Sequence, residues 1–302
     1  HTADELLKRA DIAMYQAKLA GKNRLRNFDI EMQKSVEERL AIEADLRRAL
    51  ALRQFVLAYQ PQWNSTGKVI GAEILLRWQH PERGNVFPIE FIGVAEETGD
   101  IIEIGKWVIA EACDRLKAWQ TEPELQGMHL AINVSPRQFR DPGFVSFVAE
   151  VLDRSGVNPG RMTLELTESL MLENVAETVQ KMEAIRKLGV RFSLDDFGTG
   201  YSSLTYLKRL PLSELKIDQT FVQEMTTDKN DAALIRTIIG MAENLSLQVL
   251  AEGVETQLQL DALLAMGCNA YQGFLFSKPV SRSEFESLAG SDAGEAVRNS
   301  TF

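Results

Sequence analysis

Eight short segments each place a polar or charged side chain at or near the end of an apolar, β-branched run: Gln60, Glu73, Asn133, Glu165, Asp195 with Asp196, Lys216, Glu252 and Gln272. A single residue of this kind is usually a strand surfacing into water. A series of them points to strand ends gathered at a common mouth, where a barrel carries its chemistry. Glu168, Asp218 and Glu255 lie close by in sequence, and Lys216 is the one clear cation of the set. Carboxylates packed this closely stay ionised only beside a counter-cation. Oxygen donors without Cys or His favour Mg²⁺ or Mn²⁺ over zinc, and His1, His80 and His129 have no ligand spacing to one another. The adjacent acids Asp195 and Asp196 are the most informative pair. With one ending a strand and the other opening a turn, they can address two ions. Ions about 3.5–4 Å apart can clamp a phosphodiester and activate a water between them. The Gly- and hydroxyl-rich stretch 197–203 that follows reads equally as a mobile loop over the site or as a tight strand-to-helix connection.

The elements that must hold these residues follow a rhythm. Strands are expected at 55–62, 69–78, 130–135, 162–167, 191–196, 214–218, 248–253 and 270–276. Amphipathic helices are expected at 101–119, 143–155, 175–188, 231–245 and 256–266. Alternation of this kind is the signature of βα units on a mostly parallel sheet, and eight strands match a (β/α)8 barrel. An open doubly wound sheet is the alternative, weakened because no G-x-G-x-x-G follows a strand. Side chains alternate along a strand, so Glu73 faces the mouth and Ile74 the helix layer.

The chain has 302 residues, 45% hydrophobic and 25% charged, with a net charge of −10. That is a globular composition, not a disordered or fibrous one, and the negative balance argues against a polynucleotide partner. Cys113 and Cys268 form no C-x-x-C and read as free thiols of a reducing compartment. No apolar run approaches the ~18 residues of a spanning helix, so the chain is expected in the cytoplasm, with a longer parent free to be membrane-tethered. A helix is expected over 3–26, with Leu6, Leu7, Ala10, Met14, Ala17 and Leu19 as its covered stripe. A second, charged helix over 31–52 has Met32, Val36, Leu46 and Leu50 on one face and reads as a linker.

Residues 55 to about 288 resemble the EAL domain family. The segments that carry the likeness are YQP at 59–61, AEILLRW at 72–78, NVSPRQF at 133–139, ELTES at 165–169, DDFGTGYSSL at 195–204, LKIDQTF at 215–221, AEGVE at 251–255 and QGFLFSKP at 272–279. Upstream, ADIAMYQAKLAGKNR at 10–24 resembles the closing helix of GGDEF domains. The implied organisation is a GGDEF-like remnant over 1–29, a helical linker over 30–54, the EAL barrel over 55–290 and a flexible tail over 291–302.

The resemblance implies a barrel whose first strand is antiparallel to the rest, and hydrolysis of cyclic di-GMP to linear pGpG with two Mg²⁺ or Mn²⁺ ions. Glu73, Asn133, Glu165 and Asp195 would hold one ion. Asp195 would bridge to a second on Asp196 and Glu252. Lys216 would orient the attacking water, and Glu252 is a candidate base. Gln60, Leu75, Arg77, Asp218 and Gln272 would contact substrate, while Glu168 and Glu255 would support the loop after Asp196. A homodimer and upstream GGDEF and sensor domains are the implied partners. The rival reading is a receptor that binds cyclic di-GMP without cleaving it. One departure stands out: Ile74 occupies the position of the motif's alanine, an overpacking risk behind the strand.

Overall fold

Polar residues in these strands alternate with large apolar ones, so pleating sends the two sets to opposite faces, and only a closed, covered sheet buries both. The computed structural model describes residues 2–19, 23, 25–172, 174–198 and 207–290. The expected loop residues 199–203 and the tail 291–302 lie outside the described residues. The chain divides into two units, residues 1–55 with 78–100, and residues 56–77 with 101–302. Residues 78–100, inside the span expected for the barrel, group with the N-terminal helices.

The first unit contains α1 (Ala3–Leu19), α2 (Ile30–Ala49), α3 (Pro88–Thr98) and the short strand β3 (Gly84–Val86). Asp29 caps α2 by accepting from the Met32 amide at 2.7 Å, which supplies one of the partners a helix start lacks. Helix α2 buries Ile42, Leu46 and Ala49, and α3, packed on it, buries Phe91, Val94 and Ala95. Phe55, Trp78 and Phe91 form an aromatic cluster with ring centroids 5.5–5.8 Å apart. Helix α1 packs on α2 and buries Ile12 and Ala13, while Leu6, Leu7 and Met14 stay exposed. The expected covered stripe is therefore displaced: among the described residues, those buried on α1 are Ile12 and Ala13, not Leu6, Leu7 or Met14.

The second unit is the barrel. Its strands are β1 (Phe55–Asn64), β2 (Val69–His80), β4 (His129–Asn133), β5 (Met162–Thr167), β6 (Arg191–Phe197), β7 (Glu214–Ile217), β8 (Gln248–Ala251) and β9 (Ala270–Tyr271). They run in the order β1-β9-β8-β7-β6-β5-β4-β2, and β1 pairs with β2 to close the sheet. Strand β1 is antiparallel to β9, and the pairs from β2–β4 round to β8–β9 are parallel. The eight-stranded barrel with a reversed first strand is as expected. Among the described residues the unit also contains helices α4 (Ile101–Trp119), α5 (Pro136–Arg140), α6 (Phe144–Ser155), α7 (Val175–Lys187), α8 (Gln219–Glu224), α9 (Lys229–Asn244), α10 (Gln257–Ala265) and α11 (Arg282–Gly290). No helix among the described residues is long and apolar enough to cross a membrane.

Register decides which residues share the interior. Asn133 stands opposite Glu165, Glu165 opposite Ser193, and Thr167 opposite Asp195. Their strand neighbours Ile132, Leu164, Leu194 and Leu215 turn outward and are at most 1% exposed, beneath helices such as α4 on β4, α7 on β6 and α9 on β7. Four expected strands end early, β4 at Asn133, β7 at Ile217, β8 at Ala251 and β9 at Tyr271, and for β7 and β9 the local reason is plain. Strand β7 stops at Ile217 because Asp218 caps α8. Strand β9 stops because the chain turns at Gly273, packed so tightly that a Cβ there would meet the Val254 backbone at 2.2 Å. Cys113 and Cys268 are buried and free.

Ile74 is 3% exposed and pairs with Ile132 on the outer face. Its volume is part of the packing, so restoring the motif alanine opens a cavity. Ile74→Ala is expected to lower unfolding free energy by about 2–5 kcal/mol in urea titration; a neutral effect would show that the site tolerates either volume.

At the barrel base, burial and the nearby cations Arg191 and Arg161 hold His129 down at about 4. Its folded value lies below the unfolded value of about 6.5, so the unfolded chain binds the extra proton. The linked stability is complete above pH 6.5 and is lost as pH falls toward 4. Between pH 8 and pH 5 wild type should lose about 2 kcal/mol more than His129→Gln, read from denaturation midpoints; parallel losses would sink the assignment.

Candidate active site

Lys216 lies on β7 facing the interior and is fully buried. Its Nζ is 2.7 Å from Glu252 Oε1, 3.0 Å from Glu165 Oε2, 3.2 Å from Asp195 Oδ1 and 3.4 Å from Glu73 Oε2. One ammonium thus joins four carboxylates from four other strands or strand ends. Asn133 Nδ2 donates to Glu73 Oε1 at 2.6 Å, and Gln272 Nε2 donates to Glu73 Oε2 at 2.6 Å.

The electrostatics follow from this count. Burial disfavours the Lys216 charge, but Asp195, Glu165, Glu252 and Glu73 together hold its pKa well above the ordinary lysine range. Burial would also raise Glu73, yet the Lys216 charge and the hydrogen bonds from Gln272 and Asn133 carry it below the usual value. Glu165 and Glu252 lack such support. Burial outweighs the lysine for both, and neighbouring carboxylates add to it, leaving Glu165 well above the carboxylate range and Glu252 at about 8. A single ammonium does not balance the cluster.

Asp196 reaches the mouth by a device of its own. Strict alternation would send it outward, next to the inward Asp195. Instead β6 carries one extra residue against β7 between Leu194 and Phe197, and Asp196 takes a left-handed φ of 55°. A bulge of this kind re-aims one side chain. Burial, then the charges of Asp195 and Asp218, raise the Asp196 pKa.

The other expected site residues have varied surroundings. Gln60 is buried and donates to the Ser277 carbonyl at 2.6 Å. Leu75 and Arg77 are half-buried on β2, and Arg77 Nη1 donates to the Leu76 carbonyl at 2.9 Å. Asp218 accepts from the Thr220 amide at 3.0 Å as the α8 cap. Glu168 is buried with neither carboxylate oxygen hydrogen-bonded. Glu255 is exposed, and its backbone amide donates to Gln259 Oε1 at 2.9 Å. The structure therefore gathers Glu73, Asn133, Glu165, Asp195, Glu252 and Gln272 around Lys216 and sets Asp196 against Asp218. It does not bring Glu255 into that cluster.

The donor set suits a hard divalent cation. All the side chains offered are oxygen ligands, negative charge is in excess, and Glu165 Oε1 is buried without a partner, an expensive state for a carboxylate oxygen. A model of the EAL domain matches residues 43–279. The chain belongs to the EAL domain family. Among curated relatives, the EAL chain is 44% identical over 284 residues to MucR of Pseudomonas aeruginosa, described as a bifunctional diguanylate cyclase/cyclic di-GMP phosphodiesterase, covering 92% of this chain and 41% of MucR. It is 40% identical over 285 residues to the oxygen sensor protein DosP of Escherichia coli, covering 93% of this chain and 35% of DosP. Among solved structures, the PaMucR phosphodiesterase in complex with c-di-GMP aligns at a TM-score of 0.78 with 43% identity, over 81% of this chain and 99% of that one. The chain thus spans well under half the length of these two curated relatives.

Two residues escaped the sequence reading. Gln62 and His129 are hydrogen-bonded at 2.9 Å, and Gln62 Nε2 donates to Gln272 Oε1 at 3.2 Å. The available signal was parity, since Gln60 and Gln62 share the inward face of β1.

If the ammonium is what keeps the cluster together, removing it leaves buried carboxylates uncompensated, at a cost of about 3–5 kcal/mol. Lys216→Met should therefore melt markedly below wild type in EDTA and recover part of the loss with Mn²⁺. Equal melting temperatures in EDTA would refute this charge balance.

Proposed function

We propose that this EAL domain hydrolyses one phosphodiester bond of cyclic di-GMP to give linear pGpG. The observation that carries the reading is the cluster of four carboxylates around the buried Lys216 at the barrel mouth, in a chain 43% identical to a phosphodiesterase solved with c-di-GMP. Glu73, Asn133, Glu165 and Asp195 would hold one divalent ion, and Asp195, Asp196 and Glu252 a second, with Mg²⁺ or Mn²⁺ the ions that oxygen donors favour. Bound there, such ions supply charge neutralisation at phosphorus and a more acidic water.

The chain's own residues do the rest. Water adds across one P–O3′ bond: its oxygen joins phosphorus, and a proton ends on the released 3′ oxygen. Lys216, fixed by four carboxylates, presents a charge that needs no reorganisation as negative charge grows on the phosphoryl oxygens. Glu252 stands at the solvent side of that lysine, raised by burial to a range suited to proton exchange near neutrality. Arg77 keeps guanidinium donors beyond the one bonded to Leu76, and a planar fork suits a phosphate oxygen. Gln60, Leu75 and Asp218 complete the proposed substrate contacts, with Gln272 contributing the N–H not given to Glu73. Glu168 and Glu255 would steady the segment after Asp196.

The relatives' greater length supports a role beside other domains. Residues 1–29 would close a GGDEF-like domain, with sensor domains further upstream, a homodimer as the working form and the cytoplasm as its place.

Wild type with Mg²⁺ or Mn²⁺ should convert cyclic di-GMP to pGpG, resolved by chromatography, and EDTA should abolish the product. Asp195→Asn should lower kcat by about 10²–10³-fold or more with the fold intact, the range that loss of a single preorganised group already costs. Ca²⁺, which prefers looser coordination, should substitute poorly. Near-normal turnover of Asp195→Asn would defeat the two-ion reading, and tight binding without product would favour a receptor.

A further inference from the structure

The hydrogen bonds that reach Glu73 do not stop at Gln272. Gln272 Nε2 donates to Glu73 Oε2 at 2.6 Å, Gln62 Nε2 donates to Gln272 Oε1 at 3.2 Å, and Gln62 Oε1 meets His129 Nε2 at 2.9 Å. The direction of this chain is dictated from one end. A carboxylate only accepts, so Gln272 must turn its NH₂ to Glu73 and its carbonyl to Gln62. Gln62 must then give its NH₂ to Gln272 and its carbonyl to His129, which makes Nε2 of His129 the donor on this path. The Ile70 backbone is a second hydrogen-bond partner of the same ring, so the proton's place on Nε2 is part of what is proposed. Every amide has a single orientation that satisfies both neighbours.

The fold builds this path deliberately into the interior. Continuing the β1–β9 register of Trp63 with Tyr271 sets Gln62 opposite Gln272, and β2–β4 pairing sets Gly71 opposite His129 and Glu73 opposite Ala131. Gln62 is 1% exposed and Gln272 7%, so water does not replace these bonds. Gly71, two residues before Glu73, makes room for the donor. A Cβ there would meet the His129 carbonyl at 2.5 Å and its ring carbons at 2.7 Å.

We propose that Gln62 and His129 are positioning residues for Glu73, acting through Gln272 as one directed hydrogen-bond chain from the base of the barrel to its mouth. Groups that orient a ligand in this way typically alter metal affinity or activity by about 10–100-fold. The inference rests on the phosphodiesterase reading for its activity readout only, because orientation of Glu73 is also visible in ion binding and in the histidine proton.

Two measurements on the full chain test it. In ¹⁵N-labelled wild type near pH 7, with His129 assigned through His129→Gln, the His129 ring should be neutral with its proton on Nε2. A proton on Nδ1 would turn Gln62 round and overturn the chain, whether or not any variant folds. Mn²⁺ titration without substrate, by calorimetry, then compares variants. Gln62→Met should weaken binding about 10-fold. Gln62→Glu, similar in size but unable to donate to Gln272, should weaken it at least as much. His129→Leu should behave like Gln62→Met, and His129→Gln, which restores a donor, should recover most of the affinity. Unchanged Mn²⁺ affinity in folded Gln62→Met and Gln62→Glu would overturn the proposal. Wild type that binds Mn²⁺ but makes no pGpG would instead count against the phosphodiesterase reading and leave this one standing.

Discussion

The Lys216 ammonium is buried where a barrel of this size would ordinarily place a leucine or isoleucine, and the architecture around it answers that burial. A charge removed from water costs several kcal/mol even after relaxation. Four carboxylates within 3.4 Å of Nζ more than compensate it, and their excess becomes the next problem. Glu73 is held ionised by two amide donors in addition to the lysine. Glu165 and Glu252 have the lysine alone, and burial pushes both upward. A barrel arranged for stability alone would have neither the lysine nor the surplus of acids. The imbalance is what makes the interior receptive to divalent cations, and it places the demand for them beside the strand ends where a phosphodiester would arrive.

Such an interior contributes little net stability, so the outer face must carry the fold. Ile74, Ile132, Leu164, Phe192, Leu194 and Leu215 are each at most 3% exposed, and each alternates with a polar or small interior residue. The division of labour is a consequence of the pleat: one face of the strands goes to helix packing and the other brings most of the polar groups together, with Leu250 opposite Lys216 as an apolar member of the interior. Among the described residues it is broken at Asp196, for a reason. Two consecutive acids cannot both face inward on a regular strand, so β6 takes a bulge and Asp196 a left-handed backbone, a conformation that costs a non-glycine residue of order 1–3 kcal/mol. That cost is borne at the residue pair with the most specific proposed role, which is where backbone strain gathers in functional sites.

Legibility in the sequence tracked these same divisions. The outward leucines and inward acids repeat with a period of two, so the strand positions and the set around Lys216 could be read from the chain. Side-chain parity placed Glu73 and Ile74 on opposite faces. It gave no access to the Asp196 bulge, because no glycine marks it and the extra residue is defined only by pairing with β7. Helix α3 is hard to read from the chain because its buried residues, Phe91, Val94 and Ala95, span little more than one turn after a proline. On α1 the expected stripe runs through Leu6, Leu7, Ala10, Met14, Ala17 and Leu19, whereas the described residues it buries are Ile12 and Ala13. Gln62 stayed hidden because a glutamine inside an apolar strand looks like a surface residue until its partner across the sheet is known.

The chain from His129 to Glu73 shows why that partner matters. A serine or threonine in the place of Gln62 could rotate its hydroxyl to suit either neighbour, and the path would carry no direction. A primary amide has a donor end and an acceptor end fixed by one plane, so turning one glutamine forces the other to turn. Two buried amides in series thus make the Glu73 carboxylate sensitive to whether His129, at the far end of the barrel, donates or accepts. Because burial and the cations of Arg191 and Arg161 keep that ring neutral through the physiological range, the donor role depends on tautomer and not on charge. The interior polarity of this barrel therefore does two separate jobs: near the mouth it concentrates negative charge, and beneath the mouth it orients the residue that would hold the first ion.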